Sequence, residues 1–377
     1  MKAVKRFFKI IGALLLALLV LIIVAGTLFL NFSPQFGGSA SNDKKLLYSR
    51  SSQYQDGVFV NAIPTSLDMG FRATAKIAYK FFFNREEMLE PSQSLPFKKI
   101  DPVTLAMQGK GLKRITWLGH SACLLEIDGK RILFDPMLGP SPAPHPWLGP
   151  KRFSSLPLTL DEMPRIDVVV ISHDHYDHLD YESIVKLSKK TTHFYTPIGV
   201  GTHLEEWGIE PGKITELDWW EQSTVDGFTF VCTPARHFSG RGVFDRFATL
   251  WASWIVKTEN TNIYFSGDGG YGPHFSEIGQ RYGPFDFAML ECGQYNELWK
   301  DIHMMPEETV QAAKDLKAKA MMPIHWGAFA LAMHTWMDPI ERVTVAAQKE
   351  NMPIATPIIG EPISLDASHF PDKKWWK

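Results

Sequence analysis

The sequence predicts an α/β domain of mixed β-sheets covered by helices, tied to a membrane by one amino-terminal helix. Two observations support this fold class. Short apolar runs separated by turns begin at Leu112 and interleave with helix-like stretches, without a strict strand–helix–strand rhythm. Ahead of them, Ile10 to Leu30 is an unbroken run of apolar and small residues.

The amino-terminal run is long enough to cross a bilayer, because a membrane-spanning helix needs about 20 apolar residues. Basic residues from Lys2 to Lys9 precede it, and no acidic residue occurs before Asp43. This charge distribution predicts a cytoplasmic flank over residues 1–9 and a transmembrane anchor over 10–30. The part of the chain after the anchor is then extracytoplasmic, which means periplasmic or extracellular in a bacterium. A cleaved signal peptide is the alternative, but the length of the run favours an anchor that is retained.

The chain beyond the anchor divides into an extension and one folded domain. Residues 31–101 are interpreted as a tether and amino-terminal extension, beginning with a segment that contains Ser, Gly and Pro. Within it, Ile77 to Phe83 is strongly apolar. This segment predicts either an amphipathic arm that packs on the domain or on lipid, or a helix that covers the core. A single folded domain is expected over residues 102–370.

The domain begins with predicted short strands joined by a tight turn. Ile115 to Leu118 and Cys123 to Ile127 are apolar or alternating, and Asp128-Gly129 is a two-residue hairpin signal before Arg131 to Phe134. Later in the chain, Pro306 followed by two glutamates is typical of a helix start. Further strands are predicted at Asp167 to Ile171, Phe228 to Cys232, Trp254 to Val256, Ile263 to Phe265 and Phe287 to Leu290, and helices at Tyr181 to Ser188 and Pro306 to Ala320.

Composition argues against a protein that binds nucleic acid and against a structural zinc knot. The formal net charge is −2, so the chain has no excess of basic residues to contact phosphate backbones. Its cysteines, Cys123, Cys232 and Cys292, form no CxxC pair. We expect them to be small buried hydrophobic residues. A metal-ligand role for Cys232 is the alternative, because it lies shortly before His237.

The segment Ser172 to His178, SHDHYDH, is the sharpest chemical signal in the chain. It follows an apolar strand and precedes a helix, so it is expected on the loop at the carboxyl end of that strand. Imidazole nitrogens and carboxylate oxygens are typical ligands of zinc. His173 and His175 face the same way in extended backbone, whereas Asp177 and His178 come after the turn and can address a second ion.

Three more residues of ligand type each follow a predicted strand: His237 after FTFVCTPAR, Asp268 after IYFSG and His325 after KAMMPI. Together with the loop they supply enough ligands for two ions. Two ions about 3.5–4 Å apart lower the pKa of a water between them, which predicts a hydroxide nucleophile. The predicted two-zinc site has one set of His173, His175 and His237, a second set of Asp177, His178 and His325, and Asp268 as the bridge.

HDHYDH, with the later His, Asp and His, resembles the metallo-β-lactamase superfamily. The chain more narrowly resembles the N-acylphosphatidylethanolamine-hydrolysing phospholipase D group over residues 112–362. The segments that carry this resemblance are WLGHSACLLEIDGKRILFDPM, LGPKRF, DVVVISHDHYDHLD, PARHFSGRG, LWASWIV, SGDGGYGPHFSEIG, HMMPEETV and PIHWGAFAL. It implies a metallo-β-lactamase αβ/βα four-layer sandwich with the metals at the strand ends between two sheets. The family's metal ligands carry over onto His173, His175, Asp177, His178, His237, Asp268 and His325.

The same resemblance implies a two-zinc hydrolase that cleaves a phosphodiester in a membrane phospholipid, giving phosphatidate and an N-acylethanolamine. Asp177 is expected to orient the nucleophile. A domain tethered to a bilayer is also well placed to meet lipid head groups. One alternative is a metal-dependent lactonase or another ester or phosphodiester hydrolase that acts on a soluble substrate. The other is a non-catalytic binding module that uses the same fold.

Residues near the ligands are candidates for contact with the substrate. His303 precedes a helix start and is expected to hydrogen-bond a phosphate or to protonate the leaving oxygen, with a structural role as the alternative. Gln294 and Tyr295 follow a strand and are predicted to bind substrate. His120 is expected to be a hydrogen-bonded structural histidine rather than a ligand. The arginines around His237 either pair with phosphate oxygens or are solvated at the surface. These arginines are Arg236, Arg241 and Arg246.

Overall fold

The structure is a computed structural model of the chain, and it describes residues 2–66, 75, 79, 89–107, 109 and 111–377. Apart from Tyr79, the apolar arm predicted at Ile77 to Phe83 lies outside the described residues. Numbered in chain order, the helices are α1 Lys2–Phe32, α2 Asn42–Tyr48, α3 Pro102–Ala106, α4 Tyr181–Ser188, α5 Gly201–Glu206, α6 His274–Arg281, α7 Pro306–Asp315 and α8 Asp338–Lys349.

The strands, also numbered in chain order, are β1 Tyr54–Gln55, β2 Val58–Phe59, β3 Lys113–Gly119, β4 Ala122–Ile127, β5 Lys130–Phe134, β6 Ile166–Val170, β7 Thr191–Pro197, β8 Ile214–Leu217, β9 Gln222–Val225, β10 Phe228–Thr233, β11 Ser253–Lys257, β12 Asn262–Phe265, β13 Phe287–Glu291, β14 Met321–Ile324 and β15 Pro362–Ser364. They form a seven-stranded sheet of order β15-β3-β4-β5-β6-β7-β8 and a six-stranded sheet of order β14-β13-β12-β11-β10-β9. β1 and β2 pair separately as a small antiparallel hairpin.

Helix α1 is long and apolar enough to cross a membrane. The most apolar 18-residue window within Val4–Phe32 has a mean hydropathy of 3.0, and none of it is buried against the rest of the chain. The helix extends beyond the predicted anchor at both ends. Its apolar side chains therefore have no protein surface to cover them, which is the condition in which a bilayer is the expected surrounding.

The two sheets stack face to face, and apolar side chains fill the space between them. Phe134 of β5 stacks on Phe265 of β12 with ring centroids 4.8 Å apart, and Tyr195 of β7 stacks on Phe230 of β10 at 4.4 Å. All of these rings are almost completely buried. The inter-sheet layer is therefore a packed core of aromatic and aliphatic groups, in agreement with the expected sandwich.

Helices cover the outer faces of both sheets, which completes the four layers. Ile184 and Leu187 of α4 pack with Phe194 of β7 in a second apolar cluster on the outer face of the seven-stranded sheet. On the other side, α7 packs against β13 and against α8. The chain thus has the αβ/βα arrangement that the sequence predicted.

The carboxyl ends of the parallel strands lie at one end of the sandwich. β5, β6, β7 and β8 run parallel in one sheet, and β12, β13 and β14 run parallel in the other. The loops that leave these strands therefore converge on one edge, where ligand sites of open α/β sheets are usually found.

One predicted boundary is wrong. The helix that was expected from Pro306 to Ala320 ends at Asp315. Lys317 adopts the left-handed conformation with φ of 57°, and the amide of Lys319 donates to the carbonyl of Phe285 at 2.9 Å. The chain leaves the helix there because it must run back along the sheet to begin β14.

Candidate metal centre

The SHDHYDH segment forms the loop after β6. The buried carboxylate of Asp135, directly after β5, holds this loop in place. Asp135 accepts hydrogen bonds from the Ser172 amide at 2.7 Å and from the Ser172 hydroxyl at 2.6 Å. Asp174 anchors the other side, because its carboxylate accepts from the Gly240 amide at 2.8 Å and from the Thr249 hydroxyl at 2.9 Å. The loop is therefore held by buried hydrogen bonds that do not require a metal ion.

Three histidine nitrogens converge at one side of this loop. Nδ1 of His175 lies 2.9 Å from Nε2 of His173 and 3.2 Å from Nε2 of His237. Two nitrogen ligands bound at about 2.1 Å to a tetrahedral zinc ion are themselves about 3.4 Å apart, so this spacing is close to that of a ligand set. Burial lowers the pKa of His173 and of His237 well below the ordinary value, which keeps both rings in the neutral form that binds metal.

A second group of ligand type lies beside the first. One ligand-type atom from each of Asp177, His178, His325 and His120 falls within 4.8 Å of the others. Nε2 of His120 donates to the Asp177 carboxylate at 2.9 Å. Since burial lowers the pKa of His120 to about 4, this ring is neutral and acts as a hydrogen-bond donor that orients the carboxylate.

Asp268 lies between the two groups. Its carboxylate is 3.0 Å from Nε2 of His178 and 3.1 Å from Nδ1 of His325, which belong to one group. The same carboxylate is 3.9 Å from Nε2 of His173 and 4.0 Å from Nε2 of His237, in the other group. One side chain therefore faces both groups at once.

Two buried side-chain atoms in these groups lack hydrogen bonds, which indicates that the site can accept a metal ion. Among the described residues, Nε2 of His178 and Oδ1 of Asp268 are buried and make no contact with hydrogen-bond geometry, although Nε2 lies 3.0 Å from the other Asp268 oxygen. Buried polar atoms are rarely left in this state unless an ion or water completes them. The second nitrogens of the rings are held instead, since Nδ1 of His178 donates to Asp135 at 2.6 Å and Nδ1 of His237 donates to the Ile302 carbonyl at 2.9 Å. The centre is therefore suited to cations.

Asp135 is a supporting residue that sequence reasoning missed. Its only signal is a position directly after a strand, in the segment FDPM, where an aspartate commonly starts a turn. In the structure Asp135 is fully buried and accepts hydrogen bonds from Ser172 and His178, at the two ends of the segment of residues 172–178, which is called the metal loop below. It fixes the ring so that Nε2 points into the centre.

Replacing Asp135 with asparagine should lower metal affinity about 10- to 100-fold, because an amide cannot accept all the hydrogen bonds of the carboxylate. Competition with a fluorescent zinc chelator measures this change. The matched control is Asp286→Asn. Asp286 also accepts a hydrogen bond from a backbone amide, that of Asn262 at 2.8 Å, but it lies at the start of β12, away from the metal centre at the other end of this strand. Equal affinity in the Asp135 and Asp286 variants would remove the supporting role.

A cavity of about 270 Å³ opens over the ligand groups. Phe238, Trp299 and Leu331 give it apolar walls, and Arg246 and His303 give it polar ones. Nδ1 of His303 lies 2.9 Å from a carboxylate oxygen of the fully buried Glu291, the last residue of β13. This contact holds the ring so that its other nitrogen faces the cavity, and sequence reasoning did not identify Glu291.

The two residues predicted to bind substrate occupy different environments. Gln294 lines the cavity, and its side chain also bonds backbone groups, including the Leu331 amide at 3.0 Å. Tyr295 is absent from the cavity lining among the described residues. Its hydroxyl donates to Asp338, and its ring stacks on His334 with centroids 4.5 Å apart. The structure thus gives Tyr295 packing contacts at the start of α8.

The three arginines near His237 also differ. Arg236 donates to the carbonyls of Pro64 and Tyr271, and pairs with Asp301 at 3.0 Å. The buried Arg241 donates to backbone carbonyls. Arg246 is exposed at the cavity mouth, where its guanidinium lies 5.0 Å from the centroid of the Phe238 ring in a cation–π contact. Of the three, only this guanidinium is left to meet a ligand in the cavity.

The cysteines lie in the apolar core. Cys123, Cys232 and Cys292 are free and fully buried. Burial raises the pKa of the Cys232 thiol well above its ordinary value, which opposes the thiolate form needed for metal binding. Cys232 belongs to none of the ligand groups found among the described residues.

Comparison with known proteins supports a metal-dependent centre. A family model described as a beta-lactamase superfamily domain matches residues 130–326. Uncharacterized protein Rv0906 of Mycobacterium tuberculosis is 39% identical over 352 residues, which cover 92% of this chain and 93% of that protein. N-acyl-phosphatidylethanolamine-hydrolyzing phospholipase D 1 of Caenorhabditis elegans is 34% identical over 241 residues, or 60% of this chain and 68% of that protein. Igni18, a metallo hydrolase from the archaeon Ignicoccus hospitalis, shares the fold with a TM-score of 0.53 at 22% identity, covering 68% of this chain and 99% of that one.

Proposed function

Because this chain belongs to the beta-lactamase superfamily of metal-dependent hydrolases, we propose that it is a two-zinc phosphodiesterase that converts N-acylphosphatidylethanolamine and water into phosphatidate and an N-acylethanolamine. The position of Asp268 carries this proposal. Its carboxylate lies within 4.0 Å of ring nitrogens from both ligand groups, as a residue shared by two ions must. In this proposal His173, His175 and His237 would hold one ion, Asp177, His178 and His325 would hold the other, and Asp268 would serve both.

The choice of a lipid phosphodiester is supported by two further observations. The Caenorhabditis elegans relative carries N-acylphosphatidylethanolamine hydrolysis in its name, and its likeness spans more than half of this chain. Helix α1 is also long and apolar enough to hold the domain at a bilayer. We propose that the basic residues before it stay in the cytoplasm and that the domain lies on the extracytoplasmic side. Both observations favour a membrane phospholipid over a soluble ester.

Side chains of this centre have separate tasks in the proposed reaction. Zinc ions held by these residues would lower the pKa of a water, so that it can act as nucleophile at neutral pH, and would offset negative charge on the phosphoryl oxygens. Asp177, held by His120, orients the nucleophile and accepts its proton. Arg246 at the cavity mouth pairs with a phosphate oxygen. His303, held by Glu291, donates a proton to the oxygen of the departing N-acylethanolamine.

The test uses the full chain, loaded with zinc and incorporated in mixed micelles of N-acylphosphatidylethanolamine and detergent. The reaction is run in water enriched in the heavy oxygen isotope, and both products are quantified by mass spectrometry. We expect equal amounts of phosphatidate and N-acylethanolamine, with the heavy oxygen in the phosphatidate, because water attacks phosphorus. Elemental analysis should find two zinc ions per chain, and a chelator should abolish turnover.

Two controls define the result. Asp177→Asn should lose turnover, whereas Asp226→Asn, an exposed residue in the β9–β10 turn, should keep it. Label in the N-acylethanolamine or in a released fatty acid would show attack at carbon and contradict the phosphodiesterase proposal. If the zinc-loaded chain hydrolyses lactones or soluble diesters and leaves the lipid intact, the metallohydrolase remains and the lipid substrate is wrong.

A further inference from the structure

An exposed apolar loop lies between the metal centre and the membrane helix. The loop, residues 240–247, follows the ligand His237 and leads towards β11. At its tip, the side chains of Val243 and Phe244 are 64% and 97% exposed. An aromatic side chain left entirely in solvent on a loop beside a binding cavity is a common mark of an interaction surface.

The base of this loop is bound to the segment that leaves the membrane helix. The guanidinium of Arg241 donates through Nε and a terminal nitrogen to the Gln35 carbonyl, at 2.9 and 2.7 Å. Its other terminal nitrogen donates to the carbonyls of Asp174 and Leu179 in the metal loop, at 2.6 and 2.7 Å. Arg241 is almost fully buried, so one side chain joins the juxtamembrane segment to the metal loop.

Neighbouring contacts hold the end of α1 at the same place. Trp207 donates from its indole nitrogen to the Pro34 carbonyl at 2.7 Å. Phe36 lies edge-on to Tyr176 of the metal loop at 6.5 Å and to Phe29 in the last turns of α1 at 5.4 Å. The short segment that follows the membrane helix therefore lies against the loop of residues 172–178, and the last turns of the helix reach that loop through Phe36.

The tip of the loop shares this location. Phe244 and Arg246 line one cavity together with Gly38, Ser39 and Ala40 of the juxtamembrane segment. Arg246 also lines the cavity over the metal centre. A single short loop thus extends from the level of the membrane helix end to the mouth of the centre.

We propose that Val243 and Phe244 insert into the bilayer leaflet that contains the carboxyl end of α1, so that the mouth of the metal centre faces the lipid head groups. The partner is a phospholipid surface, and the proposal rests on the proposed function in taking the substrate from that surface. Apolar side chains beside an anchor enter the boundary between head groups and acyl chains, because burial there removes their surface from water. The arginine next to them can meet lipid phosphates.

The test places an environment-sensitive fluorophore on the loop of the full chain. All three native cysteines are buried, so an introduced cysteine is labelled selectively. Phe244→Cys and Val243→Cys are each labelled with a nitrobenzoxadiazole dye and reconstituted in nanodiscs of phosphatidylethanolamine and phosphatidylglycerol. We expect blue-shifted, brighter emission from both positions, and quenching by lipids that carry a spin label in the upper acyl chain.

Val225→Cys is the matched control. Val225 is an apolar residue, 44% exposed, in the edge strand β9. It lies near the start of β10, at the end of the sheet opposite His237, so its dye should show water-like emission without quenching. Water-like emission at both 243 and 244, equal to that at 225, would overturn the proposal.

Failure of this proposal and failure of the proposed function are distinguishable. The fluorescence readout needs no turnover, so it reports membrane contact even if the substrate is not N-acylphosphatidylethanolamine. Both loop residues are largely exposed, which means that their replacement removes few packing contacts. The melting temperature of each labelled protein checks that the domain is folded.

Discussion

Replacement of Asp268 with alanine should abolish hydrolysis, with a loss on the order of 10³-fold or more in kcat/KM. Its carboxylate is the group that faces both ligand sets, at 3.0 Å from His178 and 3.9 Å from His173. Without it the two sets lack a shared ligand, and we expect at least one ion to be lost. Elemental analysis and steady-state kinetics measure the two effects separately.

The stability of the same variant gives an independent readout. In the metal-free chain, burial raises the pKa of Asp268 to about 7, so the ionised carboxylate is costly to bury. The alanine variant should therefore melt no earlier than the natural chain in the presence of chelator. It should, however, lose much of the rise in melting temperature that zinc produces by binding the folded state.

Asp161→Ala is the control for a lost carboxylate, because Asp161 lies in an exposed turn outside the ligand groups. It should keep both the activity and the zinc-dependent rise in melting temperature. An Asp268→Ala variant that retains two ions and normal turnover would mean that the carboxylate is not a shared ligand.

Replacement of His303 with alanine should reduce turnover of the lipid by about 10²- to 10⁴-fold, the usual contribution of a general acid. The ring lines the cavity and is held by Glu291, so it can meet the leaving oxygen. A phosphodiester with an acidic leaving group, such as nitrophenol, needs no proton at that oxygen. The variant should therefore hydrolyse the nitrophenyl diester almost as fast as the natural chain.

This dependence on the leaving group separates a proton donor from a structural histidine. Glu291→Gln, which keeps the shape but weakens the contact to the ring, should show the same pattern with a smaller loss. His369→Ala, in an exposed segment near the carboxyl terminus, is the matched control. An equal loss on both substrates in His303→Ala would show that the ring supports the centre instead of donating the proton.

Sequence reasoning works where one short segment contains the chemical information. The residues of SHDHYDH come together because the loop is short, and the later ligands come together because each follows a strand of the same sandwich. Supporting contacts are harder to predict. Asp135 meets His178 across 43 positions and Glu291 meets His303 across 12, and each looks locally like an ordinary residue at a strand end.

The same limit applies to the strands. β5 and β10 have apolar patterns and are found close to their predicted positions. β9 is the sequence QSTV on an exposed edge, and it contains no apolar alternation that could identify it. Pairing with β10 across the Asp226-Gly227 turn fixes this strand, so its signal lies in the turn and in its partner and not in its own periodicity.

The hydrogen bonds of Arg241 to backbone carbonyls affect how far the sequence of the anchor can change. The guanidinium binds carbonyl oxygens of Gln35, Asp174 and Leu179, and every residue type carries a carbonyl. These hydrogen bonds depend on the course of the backbone, whereas the ring contacts of Phe29 and Phe36 depend on the side chains. A hydrophobic leader of different sequence can be exchanged for this one, provided that the main chain after it turns at the same point and that these two aromatic positions are kept.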